Sequence, residues 1–570
     1  MWKRCGGRST QIGDRRSLPS SDRYSSLVGQ EQTFNNAIFY IIHMPSGMEI
    51  SSSFLSCILQ PYAMKFGIRV RRSYAAWLFY LPVLVMFWII HCPVSAMEVD
   101  FSGLDSYIET QLARAGIPGA ALVVVSREKI IHLHTFGIRG PDGQPVTPRT
   151  LFMIGSNAKS MTALAIMQMV ETGKIELDAP VKRYLPYFRT ADSKDFEKVT
   201  VRQLLNQSSG FTNADGQRYF FDIDSSKSVL EKRIRKLSTV RLASIPGERY
   251  EYSNVNYIIL GGIVEAVTGE PFSQYLQRHI FGPLMMTDTA VVGQVHATSD
   301  VASGYRYWFG KAIAAHGLPE PKVLAPAGWV FSNAVDMGRY LLAHVNSGKV
   351  DSERILSQEG IDELHRTGVL KGIAGEGYAM GWDTDNATPD VFSHEGALPD
   401  FSSAMAVSPK GGWGYALLLN SDYALAQPGA IFVSAQIRRF FAGETPLPVA
   451  TKKALPLSVA GLICFIVFFL ASALLQLRRV LAWRRGNAPI PKRRLVWLLN
   501  SALPLAISAG IAYGLTIVIP ESNGSNISSL ILFAPDVGWV LRIGTVAVLF
   551  SGFSITGLAW SAYRRKSISL

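Results

Sequence analysis

The sequence predicts a mixed α/β (α+β) domain, one antiparallel sheet flanked by helices beside a helical region, followed by three transmembrane helices. Three observations predict it. Strand patterns lie at both ends of residues 98–450, apolar helical patterns fill the stretch between them, and three long apolar segments follow residue 450.

Residues 121–126 (ALVVVS) and 130–136 (IIHLHTF) are short, β-branched runs joined by a turn, the pattern of paired strands. Residues 157–172 and 255–268 (VNYIILGGIVEAVT) are apolar enough to be buried helices. At the far end, 401–408 (FSSAMAVS) and 414–420 (GYALLLN) flank Pro409-Lys410-Gly411-Gly412, which reads as a hairpin, and 426–441 reads as a closing helix. Strands contributed by both ends imply a single antiparallel sheet assembled from the two ends of the domain.

The chain of 570 residues is too long for one core, and a hydrophobic fraction of 48% points to a membrane portion. Segments at about 455–477, 495–519 and 543–562 are each long enough to cross a bilayer as helices. Seven basic residues from Arg478 to Arg494 separate the first from the second with no acid among them, and Arg564, Arg565 and Lys566 follow the third. Positive charge stays on the cytoplasmic side, so 98–450 is expected outside, on the extracytoplasmic (periplasmic) side of a multi-pass cytoplasmic-membrane protein. Lys452 and Lys453 oppose this arrangement and are outnumbered.

Residues 74–92 form an apolar run after Arg69, Arg71 and Arg72 and before Pro93-Val94-Ser95-Ala96. This is the layout of a secretory signal, and the run also has nearly the length of an uncleaved anchor. The domain division expected is therefore 1–63, a disordered or mis-assigned leader; 64–96, a signal peptide or anchor; 98–445, the central domain; and 455–562, the membrane region.

The net charge of +13 does not mark a nucleic-acid binder. Residues 1–97 hold ten Lys/Arg against four Asp/Glu and residues 451–570 thirteen against two, so the residues between contribute −4. A mildly acidic domain lacks the basic face that a phosphate backbone needs. Its four cysteines, Cys5, Cys57, Cys92 and Cys464, all lie outside 98–450, which removes disulfides, a thiolate nucleophile and cysteine-based zinc from the domain. His316 and His365 lack metal-ligand spacing, so no metal and no cofactor is expected.

Three short patterns can carry chemistry. Ser156-Asn157-Ala158-Lys159 opens the apolar helix, so Ser156 sits at its N-terminus and Lys159 one turn along on the same face. A serine hydroxyl needs a base, and a buried lysine with a lowered pKa is one. Tyr252-Ser253-Asn254 precedes the second helix; the tyrosine can shuttle a proton and the asparagine can grip a substrate amide. His394-Glu395-Gly396-Ala397 opens the last strands, where Gly396 admits a substrate backbone and the Ala397 N–H can face a developing oxyanion. Taken singly, each also fits ordinary structure: a capping serine with a surface lysine, a helix-entry turn, a histidine at a strand start.

Order and spacing join them. With GIPGAALVVV at 116–125, VTVRQLLNQSSGF at 199–211, IPGERYEYSNVNYIILGGIVEAVTG at 245–269 and FSHEGALPDFSSAMAVSP at 392–409, the chain over about 103–442 resembles the penicillin-recognising serine hydrolases. These comprise class C β-lactamases, D-alanyl-D-alanine carboxypeptidases and related esterases and peptidases. A domain followed by three membrane helices is similar to the membrane-anchored, prodrug-activating peptidase branch. The resemblance implies that Ser156 is acylated, Lys159 is its base, Tyr252 shuttles the proton, Asn254 holds the substrate amide, and the N–H groups of Ser156 and Ala397 form the oxyanion hole.

His394 stands where this family usually has the lysine of K-T-G. Histidine, with an ordinary pKa of ~6.5, is mostly neutral at pH 7 and gives up a fixed attraction for a substrate carboxylate. The reading is therefore a peptidase, amidase or esterase on a small-molecule or peptide substrate. The alternatives are a cell-wall D,D-peptidase or β-lactamase, and a non-catalytic penicillin- or peptide-binding sensor. Arg306 lies near the cleft or on the surface, and Asn523 and Asn526 each begin a glycosylation-like triplet that chance explains.

Overall fold

Strand β1 (Gly119–Ser126) is the centre from which the domain is built, since its residues from Gly119 to Val125 are buried. The computed structural model describes residues 100–191, 195–296, 299–316, 318–373, 375–422, 430–447, 457–485, 494–522 and 525–568. The expected leader and signal, residues 1–96, lie outside the described residues.

β1 turns back into β2 (Ile130–Gly137), the Ser126 N–H donating to the Lys129 carbonyl across the turn. Three short strands, β3 (Val369–Leu370), β4 (Glu376–Tyr378) and β5 (Asp383–Asp385), lead into β6 (Phe392–Ala397), β7 (Ser402–Ser408) and β8 (Trp413–Leu419). The sheet order is β3-β4-β5-β6-β7-β8-β1-β2, every pairing antiparallel. β8 pairs with β1 in the register Ala120↔Leu419 to Ser126↔Trp413, so the sheet closes between the two ends of the domain, as expected. The β7–β8 hairpin turns where predicted, at Gly412 with φ of 70° and with Ser408 Oγ accepting from the Gly411 N–H.

Alternation along β1 supplies two cores. Leu122 and Val124 face a smaller layer made by α1 (Ser102–Ala115) and α5 (Ala430–Phe441). Ala121, Val123 and Val125 face the larger core with α2 (Ala158–Glu171), α3 (Asn254–Thr268) and α4 (Ala334–Val345). α2 and α3 occupy the two predicted apolar runs. Each fully buried Leu, Ile or Val contributes about 1.5–3 kcal/mol relative to exposure, which is why runs without a polar face fold inward here.

The C-terminal region is helical at all three predicted segments: α6 (Leu457–Arg484), α7 (Arg494–Tyr513, continued through Gly514–Val518 to Ile519–Ser522) and α9 (Pro535–Ile568). Two helices among the described residues, Ala502–Ser522 and Pro535–Gly557, are long and apolar enough to cross a membrane, rather than the three expected. The last helix also starts at Pro535, not near 543. Asp536 hid that start, because an acid interrupts the apolar pattern. In the structure it sits in the first helical turn, where its carboxylate accepts from the N–H groups of Val537 and Phe309. Between α7 and α9, α8 (Ile527–Phe533) begins at Asn526, whose side chain accepts from the Ser529 N–H. Asn526 is thus a helix cap, and Asn523 lies outside the described residues.

Candidate active site

Ser156 lies in a single 3-10 turn, Gly155–Asn157, that feeds α2. Gly155 has φ of 53°, and a Cβ there would come within 2.9 Å of the Ala397 nitrogen. Gly396 has the reciprocal constraint, since a Cβ on it would collide with the Ile154 carbonyl oxygen. The two glycines let the end of β6 run against the serine turn, bringing the Ala397 N–H beside Ser156. Asn157 Nδ2 donates to Ser403 Oγ at 2.8 Å, and Ser403 Oγ donates to the Ile154 carbonyl at 2.6 Å, so β7 locks the turn from the other side.

Lys159 Nζ is 3.0 Å from Ser156 Oγ, 2.8 Å from Asn254 Oδ1 and 2.6 Å from the Ala327 carbonyl oxygen. Its side chain is 0% exposed, and no carboxylate pairs with it among the described residues. Burial therefore pushes its pKa well below the usual lysine range. In its neutral form the amine has two N–H bonds and one lone pair. Asn254 and Ala327 take the two N–H bonds, which leaves the lone pair for the Ser156 hydroxyl proton. Ala327 reaches this position because Gly261 on α3 has no Cβ, and one there would collide with Pro326.

Tyr252 donates to Ser156 Oγ at 2.7 Å, and its ring centroid is 4.8 Å from Lys159 Nζ. Burial raises its pKa, more than the Ser156 hydrogen bond lowers it, so the phenol keeps its proton at neutral pH. Ser253 next to it caps α3, accepting from the Val255 N–H and donating to the Thr212 carbonyl at 2.7 Å. That cap fixes Tyr252 before the helix and Asn254 as its first residue.

His394 is 3% exposed and turned toward the protein. Its Nδ1 lies 2.7 Å from the Glu395 carbonyl oxygen and its Nε2 3.1 Å from the Tyr378 hydroxyl. A carbonyl only accepts, so Nδ1 carries the proton and Nε2 accepts from Tyr378. Burial, against the raising effect of Asp383, lowers its pKa to about 4, and the ring is neutral at pH 7, as the sequence implies. Burial first, then nearby Asp383, raises the pKa of Glu395.

Ser156, Lys159, Tyr252, Asn254, His394, Gly396 and Ala397 thus come together at one place. Tyr378, the partner of His394, and the Ala327 carbonyl had no sequence signal; Tyr378 lies on a three-residue strand too short for any periodicity. Arg306 is partly buried, with its guanidinium 3.4 Å from the Leu532 carbonyl oxygen and close to Asp400. His365 is a core residue, 3.2 Å from His344 and stacked on Phe392.

Beside the serine turn is a cavity of about 280 Å³, lined by Phe220, Trp329, Phe331, Leu398, Asp400 and Leu532, among others. Leu398 and Trp329 directly follow Ala397 and Gly328, both of which touch Gly155. Leu532 comes from α8, and Phe533 next to it packs on Phe220 with ring centroids 5.3 Å apart. The C-terminal helical region therefore supplies one wall of this cavity. Burial raises the Asp400 pKa to about 7, against the lowering effect of Arg306.

A hydroxyl held between a buried amine of lowered pKa and a phenol, at a turn facing a strand-edge N–H, can form and break an acyl ester. The fold and this arrangement define a serine hydrolase of the S-x-x-K type. The chain belongs to the Beta-lactamase family, whose model matches residues 104–435. It is 28% identical over 465 residues to Protein flp of Staphylococcus aureus (strain MW2), covering 79% of this chain and 88% of that one. It is 26% identical to the putative penicillin-binding protein PbpX of Bacillus subtilis (strain 168), over 53% of this chain and 71% of the relative. Among solved structures, the octameric penicillin-binding protein homologue from Pyrococcus abyssi matches with a TM-score of 0.54 and 26% identity, over 64% of this chain and 81% of that one.

Proposed function

We propose that this protein is a membrane-anchored acyl-serine hydrolase, a peptidase, amidase or esterase, acting outside the cytoplasmic membrane through an acyl-enzyme on Ser156. The observation that carries the reading is the Ser156 hydroxyl, 3.0 Å from the Lys159 amine and 2.7 Å from the Tyr252 hydroxyl. Lys159 takes the serine proton as Oγ attacks the substrate carbonyl. Tyr252 passes its phenol proton to the leaving group and recovers one from the Lys159 ammonium, and water then deacylates Ser156 by the reverse route. The N–H groups of Ser156 and Ala397 receive the oxyanion, and Asn254, its Oδ1 held by Lys159, offers Nδ2 to the substrate amide.

The neutral, inward-turned His394 supplies no cation for a substrate carboxylate, which favours esters and amides over penicillins and C-terminal D-amino acids. The apolar wall of the neighbouring cavity suits an apolar substituent on the acyl group. Its contact with α8 also supports the topology. A loop between α7 and α9 that packs on the catalytic domain lies on the same side of the bilayer as that domain. On this reading residues 98–445 and the loop between α7 and α9 lie together on the extracytoplasmic side, and 64–96 serves as signal or anchor.

A second reading, a penicillin-binding D,D-peptidase or β-lactamase, is kept open by the printed name of the Bacillus subtilis relative. Membranes holding wild type or Ser156→Ala, treated with a fluorophosphonate and a fluorescent penicillin, separate the two. Fluorophosphonate labelling of wild type alone, with turnover of short esters or D-amino-acyl peptides, is expected. Equal labelling of both forms would overturn the assignment of Ser156, and rapid Ser156-dependent nitrocefin turnover would move it to the second reading.

A further inference from the structure

On the far side of the sheet from Ser156, three ligand-type side chains meet without a role in the chemistry above. His132 and His134 are two residues apart on β2, so both point to one face. They lie opposite Val124 and Leu122 of β1, on the face covered by α1 and α5. Asp105, in the first turn of α1, reaches both: His132 Nε2 is 2.8 Å from Oδ1 and His134 Nδ1 is 3.2 Å from Oδ2. The three ligand atoms all lie within 4.8 Å of one another. Among the described residues, no lysine or arginine pairs with Asp105.

We propose that Asp105, His132 and His134 form a binding site for a zinc-class divalent cation that staples α1 to the edge strand of the sheet. Two imidazole nitrogens and one carboxylate oxygen are the donors that suit Zn²⁺ and its first-row neighbours, and they disfavour Ca²⁺ and Mg²⁺, which take oxygen ligands. With metal–ligand bonds of ~2.0–2.2 Å, tetrahedral ligand atoms stand roughly 3.3 Å apart, so small side-chain rotations from the observed 2.8 and 3.2 Å admit the ion. The rings are already oriented. Phe101 stacks on His132 with centroids 4.4 Å apart, and Phe136 packs against His134 at 4.6 Å. Side-chain exposure is 17% for His132, 16% for Asp105 and 44% for His134, so the fourth coordination position opens to solvent past His134.

The site is structural rather than catalytic. Four strand spacings of ~4.8 Å, roughly 19 Å, separate β2 from β6, and the serine turn packs on the opposite face. The ion ties α1 to a strand that lies at the edge of the sheet among the described residues.

The test uses the full chain in detergent, purified without a polyhistidine tag, stripped with a chelator and titrated with Zn²⁺. One equivalent per chain is expected, with a rise in Tm that the chelator reverses. His134→Gln, the mildest change because that side chain is half-exposed, is expected to weaken binding at least tenfold. His132→Asn with His134→Asn is expected to abolish it, while Ser156→Ala binds as wild type. Fluorophosphonate labelling of the histidine variants reports that they are folded. Less than about 0.2 equivalents bound to wild type, or equal binding by wild type and the double variant, would overturn the proposal and leave a carboxylate bridging two imidazoles by hydrogen bonds alone.

Discussion

Replacing Tyr252 with phenylalanine separates a proton shuttle from a positioning hydrogen bond. The substitution removes one hydroxyl, 2.7 Å from Ser156 Oγ, and keeps the ring that packs 4.8 Å from Lys159 Nζ. As a ground-state hydrogen bond that hydroxyl is worth about 0.5–1.5 kcal/mol, a factor of roughly 2 to 12. As a general acid–base group it is worth about 10² to 10⁴ in rate, or about 2.7–5.4 kcal/mol of barrier. The ranges do not overlap, so the size of the effect decides the role. The leaving group sharpens the test, because a nitrophenolate departs without a proton and an amine does not. The assay is kcat/KM for an amide and a nitrophenyl ester with the same acyl group, alongside Tm. Tyr252→Phe is expected to cost at least 100-fold on the amide, clearly less on the ester, and little in Tm. A loss below about tenfold on both substrates, in a folded variant, would refute the shuttle.

Three further outcomes follow from the geometry. Lys159 must be neutral to act, so the fluorophosphonate labelling rate should be low in acid, rise as pH passes the lowered pKa and then level off; a rate independent of pH would exclude Lys159 as the base. The same shift makes the folded state bind fewer protons than the unfolded state between the depressed value and the ordinary lysine pKa of ~10.4, so the Lys159 contribution to stability rises with pH across that window. Leu532→Asp puts a carboxylate near Asp400 in the cavity wall; it should lower kcat/KM at least tenfold for esters with bulky apolar acyl groups and leave acetyl esters nearly unchanged. An equal effect on both would detach the cavity from substrate selection.

The sequence by itself determined the elements and the chemistry available to them. Val123 to Val125 and Leu417 to Leu419 read as strands, α2 and α3 as buried helices, and the Pro409-to-Gly412 turn as a hairpin, because each signal is local: a side-chain period, a β-branched run or a turn dipeptide. The S-x-x-K spacing likewise placed Ser156 and Lys159 on one helical face before any fold was known. Asp536 shows the limit of such patterns, since a buried acid at a helix start looks like a break in the apolar run. His132 and His134 stood in plain view at strand spacing, but Asp105 is 27 residues away and no spacing rule joins them.

Only the tertiary structure decided which groups meet. Lys159 finds Asn254 across 95 residues and Ala327 across 168, and those two acceptors hold its amine 3.0 Å from Ser156 Oγ. His394 turned inward to Tyr378, and the α8 loop supplied Leu532 to a cavity in another part of the chain. Burial, the partners of a polar atom and the walls of a cavity are sums over neighbours brought together by packing. Such neighbours are separated in sequence by distances that no local pattern encodes.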